Sequence, residues 1–156
     1  MRNFIVIFVL IFFVNNQSYS QELKKTYFGG GCFWCMEESF DKVKGVTNVV
    51  SGYSGGTKPN PTYKEVTYGN TGHIEVVEIT YDTNKISYEE LLNVFWKNID
   101  PFDAAGQFCD KGYSYKSAAF YVNDNQKKLI EKSIKAIEND LITKLLLLLK
   151  NLKNFI

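Results

Sequence analysis

Hydrophobic and polar positions along the chain switch repeatedly between the period of a strand and the period of a helix. Lys24–Phe28 has strand character, and Phe33–Phe40 contains good helix formers. Val43–Tyr53, with Val46, Val49 and Val50, reads as a strand that runs out into the turn Ser54-Gly55-Gly56. Pro59 and Pro61 then forbid regular pairing, so Tyr63 is expected to be presented from a stiff loop. His73–Tyr81 is the clearest strand and is expected to be central. Ser87 looks like an N-cap followed by acidic first-turn residues, with Leu91, Leu92, Phe95, Trp96 and Ile99 at helical spacing up to Asp100-Pro101. Phe102–Lys116 is loop-like, Ser117–Val122 a strand, and Asn125–Asp140 an amphipathic helix with Leu129, Ile130, Ile134, Ile137 and Leu141 on one face. This order predicts an α/β (α+β) two-layer domain.

The two ends depart from that rhythm. At the start, Arg2 precedes the unbroken apolar run Phe4–Val14, and small residues stand at Ser18 and Ser20. This predicts a signal peptide over residues 1–20, cut after Ser20, since the run is shorter than the about 18 residues that cross a bilayer. An uncleaved anchor is the alternative. The body is then 21–140. Residues 141–156 form a Leu/Lys/Asn-rich end with five consecutive leucines, Leu145–Leu149, and no obvious partner elsewhere. Helix, core and exposed apolar surface all remain open for it.

Composition narrows the functional classes. A 45% hydrophobic, 15% aromatic chain of 156 residues can build one real core. A net charge of +1, with no basic run interleaved with aromatics, argues against nucleic acid. One histidine and three cysteines could in arithmetic make a four-ligand zinc site, but a second Cys-x-x-Cys is missing, so no metal is expected. An exported chain meets an oxidising environment, where cysteines become disulfide partners or redox catalysts.

The chemistry concentrates in Gly29-Gly30-Gly31-Cys32-Phe33-Trp34-Cys35. Three glycines permit a tight approach, and Cys32 falls at the start of the following helix, where unpaired N–H groups and the helix dipole favour a thiolate. Cys35, three residues on, lies on the same side of the first turn, close enough to consider a disulfide. Two buried apolar cysteines would give the same pattern. Glu75 taken alone is an ordinary strand carboxylate, Tyr63 and Tyr115 are two of ten tyrosines, Asp110 sits in a turn, and Trp34 fits a core. His73 reads as a structural hydrogen-bonder.

Gly31-Cys32-Phe33-Trp34-Cys35, Gly52-Tyr53-Ser54-Gly55-Gly56, Asn60–Val66, Gly72-His73-Ile74-Glu75, Ser87–Leu92, Asp100-Pro101, Gly106–Asp110 and Tyr115–Ala118 together resemble the A-type peptide methionine sulfoxide reductases, in the same order, from about Tyr27 to Asn123. The resemblance implies a ferredoxin-like two-layer sandwich with a mixed sheet. It implies reduction of methionine-S-sulfoxide, free or in oxidised proteins, as repair of oxidative damage. Cys32 is then the nucleophile and Glu75 the acid for the sulfoxide oxygen. Tyr63 and Tyr115 bind that oxygen, Asp110 supports by hydrogen bonding, and Phe33 and Trp34 hold the S-methyl group. Cys35 and Cys109 are left as resolving cysteines, with no bound cofactor and an external thioredoxin-like dithiol as reductant. A monomer is expected. The family ordinarily continues into a tail rich in Tyr, His and acidic residues, which residues 141–156 do not resemble. A truncated, inactive remnant and a general thiol–disulfide oxidoreductase are the rival readings, the latter because Cys-x-x-Cys at a helix start also serves disulfide exchange.

Overall fold

The computed structural model describes residues 21–141, 148–152 and 155–156; the expected signal peptide and most of the leucine run lie outside them. A five-stranded sheet carries the fold. Its strands are β1 (Leu23–Gly29), β2 (Val46–Ser54), β3 (Ile74–Asp82), β6 (Ala118–Tyr121) and β7 (Leu148–Asn151), in the order β2-β3-β1-β6-β7. The first four are antiparallel to their neighbours, and β6 pairs with β7 in parallel, so the sheet is mixed. The middle position belongs to β1, with β3 beside it, although β3 carries the stronger apolar pattern.

Helices α1 (Phe33–Asp41), α3 (Tyr88–Lys97) and α4 (Asp124–Leu141) supply the second layer. Phe33, Met36 and Phe40 of α1 and Leu91, Leu92 and Phe95 of α3 bury at helical spacing against Phe28, Val77 and Ile79 of the sheet. Phe28 is the focus of this core. Its ring stacks on Phe95 at 4.6 Å and on Phe40 at 5.7 Å. Ser87 caps α3 by accepting the Glu90 N–H, and Glu90 returns the bond to Ser87. Ile130 and the partly buried Leu129 and Ile134 bring α4 onto the same core.

Three segments differ from the sequence expectation. Tyr63 does not sit on a loop: it opens a short helix, α2 (Tyr63–Tyr68), because Thr62 and Glu65 form a capping box that the preceding prolines obscure. The stretch 102–116 contains a small hairpin, β4 (Gly106–Gln107) with β5 (Asp110–Lys111), and a 3-10 turn at Tyr113–Tyr115. The C-terminal end finds partners that its composition does not show. After β7 extends the sheet, Leu152 and Phe155 lie on the face opposite the helices, against Tyr27, Ile74, Val76, Ala118 and Phe120. Ile156 then pairs with Tyr53 of β2 at 2.7 and 3.0 Å. The end thus reaches from one sheet edge to the other and shields a second apolar cluster.

Candidate active site

The site forms where β1 hands over to α1. Gly31 adopts a φ of +84°, and a β-carbon there would meet the Gln107 side chain at 2.8 Å, so the turn both needs and tolerates only glycine. Cys32 follows as the N-cap residue of α1, as the spacing predicts. Its carbonyl accepts the Cys35 N–H at 3.1 Å and the Met36 N–H at 3.3 Å, which starts the helix and fixes the two cysteines on one turn. Both are free thiols. Burial, followed by the neighbouring Cys32, pushes the Cys35 thiol up from its ordinary value, so it holds its proton more firmly than a free thiol does.

Glu75 comes from β3 and is 1% exposed. The Phe33 N–H donates to Oε2 at 3.0 Å, tying the carboxyl to the residue after Cys32. Oε1 is buried and has no hydrogen-bond partner among the described residues. A buried carboxyl with an orphaned oxygen is costly when ionised. Burial accordingly raises its pKa, the Phe33 N–H opposes the rise, and the charge of Asp110 adds to it. Glu75 is therefore biased toward the protonated acid, with one oxygen left for an incoming group.

Aromatic rings surround this pair. Phe33 is buried, while Trp34 is 65% exposed and lies 5.5 Å from it. Tyr63 stacks on Trp34 at 6.4 Å and sits 6.2 Å from Phe33. Tyr115, just after the hairpin, lies beside Tyr63 and Thr67. Burial, Tyr63 and the Glu75 charge push its phenol up to about 12, so it remains an O–H donor. Trp34 is thus a surface wall of the site and not a core residue.

On the other side of Cys32 opens a cleft of about 430 Å³ lined by Cys32, Cys35, Cys109, Asp110, Phe108 and Met36, among others. All three cysteines of the chain face one space. Asp110, at the start of β5, acts electrostatically on both Glu75 and Cys35. Cys109 occupies the exposed hairpin tip next to Phe108, whose φ of +48° is unusual for a bulky residue. Every residue singled out from the sequence is brought to this neighbourhood.

Two further residues build the site. Gln107 is buried, accepts the Asp100 N–H at 2.6 Å and donates to the Asp100 carbonyl at 2.7 Å, so it pins the cysteine-bearing hairpin to the end of α3. Tyr53 of β2 lies directly opposite Glu75 in the strand register, with its ring 5.8 Å from Phe33. Both stand inside quoted motifs, Gly106–Asp110 and Gly52–Gly56, and that is the signal by which they could have been found. His73 accepts the Gly56 N–H at Nδ1 (3.3 Å), and Nε2 lies 2.8 Å from the Lys58 carbonyl, a structural part that ties the loop before α2 onto β3. Among the described residues no group of three metal-binding side chains converges.

Residues 24–156 match the family described as peptide methionine sulfoxide reductase. Over 118 residues the chain is 52% identical to peptide methionine sulfoxide reductase MsrA of Listeria innocua, a match covering 76% of this chain and 67% of that relative. Among solved structures, Mxr1 of Saccharomyces cerevisiae in reduced form superposes with a TM-score of 0.76 at 29% identity, over 85% of this chain and 78% of that one. Methionine sulfoxide reductase A of Corynebacterium diphtheriae gives a TM-score of 0.70 at 28% identity, over 83% of this chain and 65% of that one. Mxr1 in complex with Trx2 shares the fold, with a TM-score of 0.58 at 17% identity, over 90% and 86% of the two chains.

Proposed function

The chain belongs to the family of peptide methionine sulfoxide reductases, oxidoreductases that return methionine sulfoxide to methionine, and we propose that its site does so on the S-epimer through Cys32, Glu75 and the cysteine cleft. The observation that carries this reading is the buried, unpartnered Oε1 of Glu75 beside the N-cap cysteine. Disulfide exchange between thiols has no use for a protonated carboxyl at a leaving oxygen, whereas sulfoxide reduction requires one.

The Cys32 thiolate attacks the sulfoxide sulfur while Glu75 gives a proton to the oxygen, with the phenols of Tyr63 and Tyr115 donating to it. The attack forms a bond between the Cys32 and substrate sulfurs. That bond breaks as the protonated oxygen passes to the Cys32 sulfur, and the substrate sulfur, having gained two electrons, leaves as methionine. Cys32 loses the same two and becomes a sulfenic acid. Phe33 and Trp34 wall the S-methyl group, and Asp110 holds charge beside Glu75, which helps to keep the carboxyl protonated until it is needed. The Cys35 thiol then attacks the Cys32 sulfur, water departs, and a Cys32–Cys35 disulfide forms. Cys109 receives that disulfide and offers it to an external dithiol from its exposed tip. A thioredoxin-like protein is the proposed reductant, consistent with the fold-related Mxr1 being found with Trx2. The site needs no bound cofactor and works in a monomer.

One equivalent of methionine-S-sulfoxide without reductant is expected to release one methionine and to form a Cys32–Cys35 disulfide first, before any bridge to Cys109, in peptides mapped over time, with the R-epimer leaving all thiols reduced. Release from the R-epimer alone refutes the epimer assignment. A Cys32–Cys109 disulfide formed at full rate in Cys35→Ser overturns the order of resolution.

Export is part of the proposal, and it rests on the apolar run Phe4–Val14 and the small residues before Gln21. The mature protein is expected to begin at or near Gln21 by N-terminal sequencing. Finding Met1 in the membrane fraction would assign an anchor instead. The proposed export carries the consequence that the reductant also works outside the cytoplasm.

A further inference from the structure

Tyr53 is held more firmly than an edge-strand residue ordinarily is. Its backbone pairs with β3 on one side, where Glu75 is its direct partner. On the other side it exchanges two hydrogen bonds with Ile156, at 2.7 and 3.0 Å. Directly opposed residues of an antiparallel pair point to the same face of the sheet, so the Tyr53 and Glu75 side chains leave together toward α1. There the Tyr53 ring meets Phe33, centroids 5.8 Å apart. Phe33 is the residue whose N–H holds Oε2 of Glu75 at 3.0 Å. The three form a closed triangle of strand pairing, ring contact and hydrogen bond.

We propose that Tyr53 is a positioning residue for the acid: its ring backs Phe33, keeps the Phe33 N–H on Oε2 and seals water from the carboxyl, so that Oε1 stays aimed at the sulfoxide oxygen and stays protonated. A half-buried aromatic that is rigid on both backbone sides meets the requirement for supporting a reacting group within fractions of an ångström. Burial, then Glu75 and Tyr63, also raise the Tyr53 phenol, which leaves it uncharged beside the acid.

The test reads the pH dependence of the sulfoxide step. The titratable groups around Glu75 are Tyr53 from β2, Asp110 from β5 and Tyr115 from the 3-10 turn, with Tyr63 of α2 and Cys32 at the head of α1 beside them. Single-turnover methionine release is followed against pH in the wild type, Tyr53→Phe and Tyr53→Leu, together with alkylation of Cys32 by iodoacetamide. In Tyr53→Leu, water reaches Glu75, its pKa falls toward the ordinary carboxylate range, and the alkaline limb moves by about one pH unit or more to lower pH. Release at neutral pH drops about tenfold or more, as one pH unit of lost protonation requires, while alkylation of Cys32 is unchanged. Tyr53→Phe keeps the ring and restores the wild-type limb. A merely structural role would lower the amount of active enzyme without moving the limb. A limb unmoved in Tyr53→Leu, or shifted equally in Tyr53→Phe, overturns the proposal. The inference rests on Glu75 being the acid, and the wild-type curve tests that separately: no alkaline limb at all refutes the acid, whereas a wild-type limb that Tyr53→Leu leaves in place refutes only the role of Tyr53.

Discussion

Cys32→Ser is expected to abolish methionine release, by a factor on the order of 10⁴ to 10⁶, even with dithiol in large excess. Serine keeps the shape of the site. Its hydroxyl remains protonated at any working pH and cannot take up oxygen as a thiolate does in becoming a sulfenic acid, so the two-electron transfer to the sulfoxide has no donor. Cys35 and Cys109 do not substitute, because Cys35, in the first turn of α1, is a thiol that burial holds above its ordinary pKa, and Cys109 is exposed on a hairpin tip. Unfolding does not explain the loss either. Cys32 is the N-cap residue of α1 and makes no side-chain cap there, whereas serine is among the best N-cap residues. The variant is expected to melt at or above the wild-type temperature while showing no turnover. Retained turnover would remove Cys32 from the mechanism, and a lowered melting temperature would show that its role is partly structural.

The fold and the site differ in how well the sequence carries them. Strands and helices with strong periodicity, β1, β3, α1, α3 and α4, stand within a few residues of their expected bounds, because each buries a face that its own pattern declares. Cys32 at the start of α1 is equally legible, since the glycines and the helix-forming run are contiguous. What the pattern does not carry is register. Nothing in the strand of Tyr53 says that it faces Glu75, and the partnership arises only when β2 and β3 align. Gln107 looks like a polar loop residue and becomes a buried clamp only once Asp100 and the hairpin meet. The C-terminal end is the extreme case: β7, Leu152 and Phe155 act through the sheet they cover, and their composition alone names no partner.

Register also decides what Glu75 does, and its substitution separates chemistry from stability. Glu75→Gln is expected to slow single-turnover methionine release by about 10² to 10⁴, the range of a general acid, while leaving the alkylation rate of Cys32 near the wild-type value. Glutamine can accept the Phe33 N–H and can point its amide at the sulfoxide oxygen. It cannot hand over a proton. The stability of the variant should move the other way. The Glu75 pKa is raised in the folded chain, so between the ordinary carboxylate range and the raised value the folded state binds more proton than the unfolded state. Wild-type stability therefore falls as pH rises through that window, because a buried carboxyl must ionise. The amide has no such loss. Denaturant unfolding of the two proteins should converge at low pH, where the carboxyl is protonated in both states, and the variant should gain relative to the wild type as pH rises. Slow release together with equal or greater stability identifies Glu75 as the proton donor. If instead Cys32 alkylation and stability fall in step with turnover, the carboxyl is a structural anchor for the Phe33 peptide, and the acid must be sought among Tyr63 and Tyr115.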